Sequence, residues 1–492
     1  MRALLLYPEF PTTFWSFKYA LKFVSKKSSH PPLGLITVAA MLPENWDLKL
    51  VDLNVQSLKE KDLLWADMVF ISAMSIQRES VNNLIERCKL KNKIIVAGGP
   101  LFTEEPEAFK NIDHLVLNEA EITLPRFLED LTNGVVKKMY TSTEFPEIHQ
   151  SVLPSYHLLN KKKYAVMSLQ LSRGCPFNCD FCEITTLFGK KMRLKSCDNV
   201  LKELSLIYES GWRGDVFFVD DNFIGNRRFL KNNLLPKLIN WMQERKYPFK
   251  FITEASINLA DDNTLMNQMI KSGFSTVFVG IETPDEDSLK ECSKYQNNNR
   301  NLIESVHKIQ NKGLIVMGGF IVGFDNDKPS IFQRQIDFIQ HSGIISAMVG
   351  LLNAPPKTKL YERLLKENRI ISSFTGNNTD LSINFIPKMN LEDLKNGYQK
   401  LLKGIYSSKP YYLRVKGFLS RYQKNIHVKK RFTFTDIKAL FKSILILGFF
   451  RKGRRYYWKL FFWTIFRRPK VFSMAMTYSI YGYHFRRVFK LK

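Results

Sequence analysis

Residues 168–182 read SLQLSRGCPFNCDFC. An apolar run of strand character ends at Arg173 and Gly174. Cys175, Cys179 and Cys182 then follow at C-x3-C-x2-C spacing, so half of the six cysteines lie within eight residues. Three thiolates on one loop can bind three irons of a cubane cluster and leave the fourth iron open to a ligand. The same residues also read as a zinc site or as three incidental thiols. Zinc normally takes four ligands, often from paired C-x2-C units, and the one further candidate nearby is Cys197.

Outward from this loop, apolar runs recur at 165–174, 215–222, 250–257, 276–283, 314–323 and 346–353, with helical segments between them. Six β/α units predict a partial (β/α)6 barrel over residues 165–355. Parallel barrels carry their chemistry at the carboxyl ends of the strands. That rule singles out Asp220, Asp221 and Asn222, then Glu254 and Ser256, then Glu282 and Thr283, and Gly323. Residues 1–135 show a second alternation, with strands at 3–8, 48–53, 68–73, 93–99 and 114–119 and helices at 79–90 and 121–132. This βαβ rhythm predicts a doubly wound, Rossmann-like α/β domain that binds ligands beyond its strand ends. The relevant loops are 8–10, 72–75, 98–100 and 119–121. Residues 136–164, with Pro146 and Pro154, read as a linker. Residues 356–492 read as a mainly helical, basic and aromatic C-terminal domain.

Charge separates the body from the tail. The 492 residues carry 73 Lys and Arg against 46 Asp and Glu. Residues 401–492 hold 23 of those basic residues and one acidic residue, Asp436. A hydrophobic content of 45% excludes global disorder. Six cysteines do not make a disulfide framework. No apolar run reaches the ~20 residues of a membrane span. The opening MRALLLYPEF is broken by Pro8 and Glu9, too early for a secretory signal. A cytoplasmic protein is expected, peripheral on the inner face of the membrane. That last expectation comes from SILILGFFRKGRRYYWKLFFWTIFRRPK (443–470), where basic clusters flank aromatic runs. The segment 456–466 is apolar on nearly all faces, so it is not a clean amphipathic helix. Nonspecific nucleic-acid binding and a plain aromatic core with a basic surface are the other two readings, and no nucleic-acid partner is expected.

RGCPFNCDFC, including Phe181 before the last cysteine, resembles the cluster loop of radical S-adenosylmethionine (SAM) enzymes. PPLGLITVAAML (31–42), AGGP (97–100) and NEAE (118–121) are similar to the cobalamin-dependent class of that superfamily. VDDNFIGN (219–226), VGIET (279–283), GFIVGFD (319–325) and IYGYHF (480–485) resemble the hopanoid C-2 methylase-like branch. The resemblance implies a 4Fe-4S cluster on Cys175, Cys179 and Cys182 that binds and reductively cleaves SAM to a deoxyadenosyl radical. It sets Asp220, Asp221 and Asn222 at the SAM amino group, where a carboxylate suits an ammonium; a solvated strand-to-helix turn is the plainer reading. Glu254, Ser256 and Glu282 would meet the SAM ribose or carboxylate.

On the cobalamin side the resemblance points to Ser72, Gly98, Gly99, Glu119 and Glu121. Two glycines let backbone approach a flat macrocycle because no Cβ intervenes, although a tight turn would use them equally. Glu119 and Glu121 could accept from ligand amides, or simply supply helix N-terminal charge. The D-x-H-x-x-G signature is missing, since Asp113 and His114 are adjacent, so cobalamin without a protein histidine ligand is expected. Asn118 stands where glycine would precede E-A-E, and Asn tolerates left-handed backbone better than most residues. The implied reaction is methylation of an unactivated carbon of a lipid-like, hopanoid-type substrate, fed by a flavodoxin- or ferredoxin-type donor. A radical SAM cyclase of the anaerobic porphyrin-ring type and a membrane-associated corrinoid- or redox-sensing protein are the alternatives. Cys88, Cys197 and Cys292 are expected to pack as small hydrophobes. Cys88 alone cannot supply the second cluster of tRNA methylthiotransferases.

Overall fold

The computed structural model describes residues 1–377, 379–423 and 433–491. Six parallel strands form the first sheet: β1 Arg2–Tyr7, β2 Asp47–Asp52, β3 Met68–Ser72, β4 Ile94–Gly98, β5 His114–Val116 and β6 Met139–Tyr140. Their order is β2-β1-β3-β4-β5-β6. The central strands β1, β3 and β4 are short apolar runs rich in Val, Ile and Leu and buried on both faces, as a parallel sheet covered by helices requires, while the edge strands β2 and β6 are only partly buried. The order reverses between β1 and β3, which places the crevice at the loops leaving those strands. The stretch expected as a linker from residue 136 supplies β6, because Leu115 and Val116 pair with Met139 and Tyr140. The rest of it is packed rather than loose. Ile148, Tyr156, Leu159 and Tyr164 are buried, and the Tyr164 hydroxyl donates to Asp52 Oδ2 at 2.8 Å.

The second sheet comprises β7 Val166–Leu169, β10 Asp215–Phe218, β11 Lys250–Glu254, β12 Phe274–Glu282, β13 Ile315–Val322 and β14 Ala347–Leu351, in the order β14-β13-β12-β11-β10-β7. All pairings are parallel. The run expected as one strand over 165–174 breaks after Leu169. Its outer end turns into β8 Ser172–Arg173, which pairs antiparallel with β9 Arg193–Leu194. The break has a cause in Asp220, whose carboxylate accepts the backbone N–H groups of Leu171 and Ser172 and so removes them from the parallel ladder.

An open six-strand barrel leaves two edges to cover. At β7, Ser28 and Ser29 carbonyls accept from Ala165 N and Val166 N, each at 3.0 Å. At β14, Tyr398 and Tyr406 of the helix Leu391–Tyr406 donate to the carbonyls of Val349 and Ala347. The helices Ser408–Arg421 and Phe472–Val488 complete this cover. Phe485 stacks on Phe14 with centroids 4.3 Å apart, and His484 holds the Phe14 carbonyl at 2.9 Å. IYGYHF (480–485) thus belongs to the core that joins the C-terminal helices to the loop after β1. Among the described residues no helix is long and apolar enough to cross a membrane.

Candidate functional site

The cysteine loop is closed at its base by the two-residue ladder of β8 and β9. Gly174 follows with φ +88°, and a Cβ there would lie 2.7 Å from the Lys191 carbonyl and 2.9 Å from that of Gly189. Only glycine fits at that exit. Beyond it, Cys182 N donates to Cys179 O and Asp180 N donates to the Cys292 carbonyl, both at 3.1 Å. Phe181 packs edge-on toward Phe324 with centroids 6.4 Å apart. The three thiols are unbridged. Burial raises all three above the usual cysteine range, Cys182 to about 12, while Lys294 acts in the opposite direction. A bound cationic cluster would reverse the balance, since a metal deprotonates a coordinating thiol. Among the described residues no group of three or more His, Cys, Asp and Glu gathers around one metal ion. A cubane does not ask for that, because each thiolate meets a different iron. Three unbridged thiols on one loop are the donor set that three irons of a cubane would take.

At the barrel mouth the predicted residues divide by what their side chains already hold. Asp220 is fully committed: its oxygens take Leu171 N, Ser172 N and Ser172 Oγ. These bonds give it a part in shaping the start of the cluster loop. Asn222 Oδ1 accepts from Ser256 N at 3.1 Å and Oγ at 3.3 Å, so these two brace each other. Glu282, at the end of β12 with φ +62°, is paired with Lys294 Nζ at 2.7 Å. A Cβ on Gly280 would stand 2.9 Å from that ammonium, so the missing side chain makes room for it. Burial works against the Lys294 charge, and Glu282 followed by the cysteines more than offsets it. Asp221 and Glu254 carry no ion pair among the described residues. Burial and then Asp220 raise Asp221 to about 7; burial and then Asp221 raise Glu254 to about 8. Two carboxyls held in this state beside three cysteines are suited to an ammonium or to ribose hydroxyls.

The mouth of the first sheet is arranged differently. Asn118 adopts the left-handed backbone expected of it, at φ +61°, and its Oδ1 accepts from Thr141 Oγ1 at 2.7 Å. That turn leads into Glu119 and Glu121, whose carboxylates reach across to the arginines at the base of the cysteine loop. Arg173 and Arg193 stand directly opposite each other in the β8–β9 ladder, a placement that repels. Glu119 lies between them. It accepts from Arg173 at 2.5 Å and takes both arms of Arg193, at 2.6 and 2.9 Å. Glu121 takes the Arg173 fork at 2.7 and 3.0 Å. The four side chains are 3–17% exposed, so this is a buried network between the two sheets.

The glycines of AGGP have close protein neighbours. A Cβ on Gly98 would strike the Val116 carbonyl, and one on Gly99, at φ +94°, would lie 2.9 Å from Ser72 Oγ and 3.1 Å from the Ala73 carbonyl. Both allow neighbouring strand ends to close together. The crevice keeps other groups for a ligand. Glu104 accepts from Ser75 Oγ at 2.7 Å and is hydrogen-bonded to Glu183, next to Cys182. Neither Glu104 Oε1 nor Glu183 Oε2 receives a donor from a third described residue, and burial followed by Glu104 raises Glu183 to about 8, so the two carboxyls can share a proton. Exposed Met74 lies on the same loop as Ser75. A buried carboxyl pair can also accept from the carboxamide arms of a large ring such as cobalamin. Asp113 and His114 lie at the opposite, amino end of β5, bonded to Lys89 and to the Lys137 carbonyl. Arg173, Arg193, Lys294 and the Glu104–Glu183 pair had been given no role from sequence. Arg173 and Arg193 gain theirs only from being brought together by β8 and β9.

Residues 23–128 match the B12-binding domain, 169–339 the radical SAM superfamily, and 358–491 a domain of unknown function, DUF4070. An uncharacterized methyltransferase of Synechocystis is 42% identical over 490 residues, covering 99% of this chain and 91% of that protein. The hopanoid C-2 methylase of Rhodopseudomonas palustris is 34% identical over 390 residues, covering 78% and 73%. Among solved structures, the cobalamin-dependent SAM radical enzyme OxsB aligns with a TM-score of 0.63 at 16% identity, over 99% of this chain and 80% of that one. TsrM from Kitasatospora setae aligns at 0.59 and 14%, over 76% and 77%. A Rossmann-like B12 domain set mouth to mouth with a radical SAM barrel is the fold of the cobalamin-dependent radical SAM enzymes. The chain belongs to the methyltransferase family of that class which includes the Synechocystis protein and the hopanoid C-2 methylase. Its cofactors are a 4Fe-4S cluster, SAM and cobalamin.

Proposed function

We propose that the protein methylates an unactivated carbon of a lipid-like, hopanoid-type substrate. The cluster with SAM supplies radical-generating chemistry, and cobalamin supplies a methyl carrier. Cys175, Cys179 and Cys182 hold the cluster, and Phe181 packs the back of their loop. Asp221 and Glu254 receive the SAM ammonium and ribose, while Asn222 and Ser256 keep the floor of that pocket rigid. Lys294, held by Glu282, places a positive charge beside the thiolates. Ser72, Gly98 and Gly99 shape the crevice wall on the cobalamin side. The observation that carries the reading is the bridge from Glu119 to Arg173 and Arg193, which ties the crevice of the first sheet to the base of the cysteine loop. One substrate carbon can then reach both halves without leaving the site. The hopanoid C-2 methylase relationship supports a lipid-like acceptor. A low-potential flavodoxin- or ferredoxin-type donor at the inner face of the membrane completes the setting.

The test is anaerobic protein reconstituted with iron, sulfide and cobalamin, then given SAM, a low-potential reductant and a membrane-lipid extract. Mass spectrometry should find a lipid heavier by one methyl group, and its formation should cease in Cys175→Ala. An unchanged lipid fraction, with methyl transfer proceeding to a water-soluble acceptor, would overturn the lipid assignment.

A further inference from the structure

The C-terminal segment divides into two parts. Its helices Leu391–Tyr406, Ser408–Arg421 and Phe472–Val488 bury their aromatics against the barrel. Between the latter two lies a helical hairpin that does not. Its first arm is the helix Phe434–Ser443, started by the reciprocal bonds of Thr433 and Asp436 and continued as the π-helix Ile444–Phe449. Gly453, at φ +93°, makes the turn, and the helix Arg454–Arg467 returns. The arms lock through Ser443 Oγ and the Tyr457 hydroxyl at 2.9 Å, and through Trp458 Nε1 donating to Gly448 O at 3.0 Å. Tyr457, Leu460 and Thr464 face inward.

The opposite face is apolar and open. Phe434 and Phe450 are each 80% exposed, Phe466 77% and Phe441 63%. Ile437, Leu445, Phe449 and Phe462 are exposed with them, at helical spacing. Lys438, Arg451, Lys452, Arg454, Arg455, Lys459, Arg467 and Lys470 are exposed around the row. The single acidic side chain of residues 401–492, Asp436, is taken up by the helix cap.

We propose that this hairpin, residues 434–467, docks the protein on an anionic lipid bilayer. The inference deepens the lipid-substrate reading and rests on it for its purpose. Patches of this kind mark interaction sites, and the charge selects the partner: a cationic rim with no carboxylate matches anionic headgroups. Phenylalanine side chains would enter the headgroup–acyl boundary while the arginines and lysines stay at the phosphates. Single-stranded nucleic acid would also meet the cations and could stack on the rings, but it would leave Ile437, Leu445 and Ile465 in water.

The full chain is tested by flotation with phosphatidylcholine vesicles, with and without phosphatidylglycerol. The protein should float with the anionic vesicles, and recovery should fall as salt rises. Phe441→Ser/Phe450→Ser/Phe466→Ser should cut recovery by about tenfold, and Lys452→Glu/Arg455→Glu by at least as much. Both variants should keep the iron–sulfur spectrum of the reconstituted parent, which shows that the body is folded. No flotation of the parent, or equal flotation of a folded triple variant, overturns the proposal. So does tight binding of a single-stranded oligonucleotide that depends on the same phenylalanines while vesicles are ignored. Flotation without methylation of any lipid would overturn the proposed function alone; methylation of detergent-dispersed lipid without flotation would overturn the docking alone.

Discussion

The two mouths that face each other place carboxylates at equivalent points and use them in opposite ways. At the first sheet, Glu119 and Glu121 are fully occupied by Arg173 and Arg193. At the barrel, Asp221 and Glu254 have no cation of their own among the described residues, and burial pushes both up, to about 7 and about 8. Strand-end position therefore does not by itself define a ligand contact. A carboxylate with a buried arginine is part of the frame; a buried one without such a partner is the better candidate to meet a charged ligand.

The largest effect should come from the loop that both mouths share. Cys175→Ala should abolish the cluster absorbance and all deoxyadenosine formation, and Cys179→Ala and Cys182→Ala should do the same. An intact cluster spectrum in any of them would refute the ligand assignment. Next in size is the frame. Arg193→Ala strands Glu119 opposite one arginine and should cost about 3–5 kcal/mol in denaturant unfolding, the usual penalty for breaking a buried pair. A loss below ~1 kcal/mol, the range of exposed pairs, would show the network to be superficial.

Glu254→Gln should separate the two uses. We expect SAM affinity to fall ~10–100-fold, as for a lost charged hydrogen bond, with unfolding stability unchanged or higher. The pH dependence has a definite sign. Glu254 titrates at about 8 in the folded, ligand-free protein against an ordinary 4.5. The native state thus binds a proton that the unfolded chain has released. Its stabilising contribution is complete below pH 4.5 and lost as pH rises through about 8. Unfolding midpoints of the apo-protein and of Glu254→Gln across that window should converge at low pH and separate at high pH. The smallest effect belongs to Asn118. Asn118→Ala should cost about 1–2 kcal/mol, the strain of left-handed backbone, and Asn118→Gly much less.

The fold was legible because its signals are local and repeated. Short Val/Ile/Leu runs spaced by helices mark β1–β5 and the barrel strands, and C-x3-C-x2-C marks the first barrel loop. Two features were not legible. Met139 and Tyr140 make a strand only because Leu115 and Val116 offer them an edge. The early end of β7 depends on Asp220, some fifty residues away in sequence. The site divides in the same way. The cysteines declare themselves by spacing, whereas the partners of Glu119, Glu282 and Asp220 exist only after folding. Gly98 and Gly99 were equally compatible with a macrocycle and a tight junction, and the Val116 and Ala73 carbonyls fill the space their side chains would take. In the tail, composition alone could not separate the aromatics that cover the barrel from those that face solvent.

One measurement tests the joint use of the two mouths most directly. Reconstituted enzyme is given methyl-deuterated SAM, reductant and lipid extract, and deoxyadenosine and S-adenosylhomocysteine are quantified together. Equal amounts of the two, with the labelled methyl group recovered in the product and both lost in Cys175→Ala, are the predicted result. Deoxyadenosine without S-adenosylhomocysteine, and no label in any product, would contradict it.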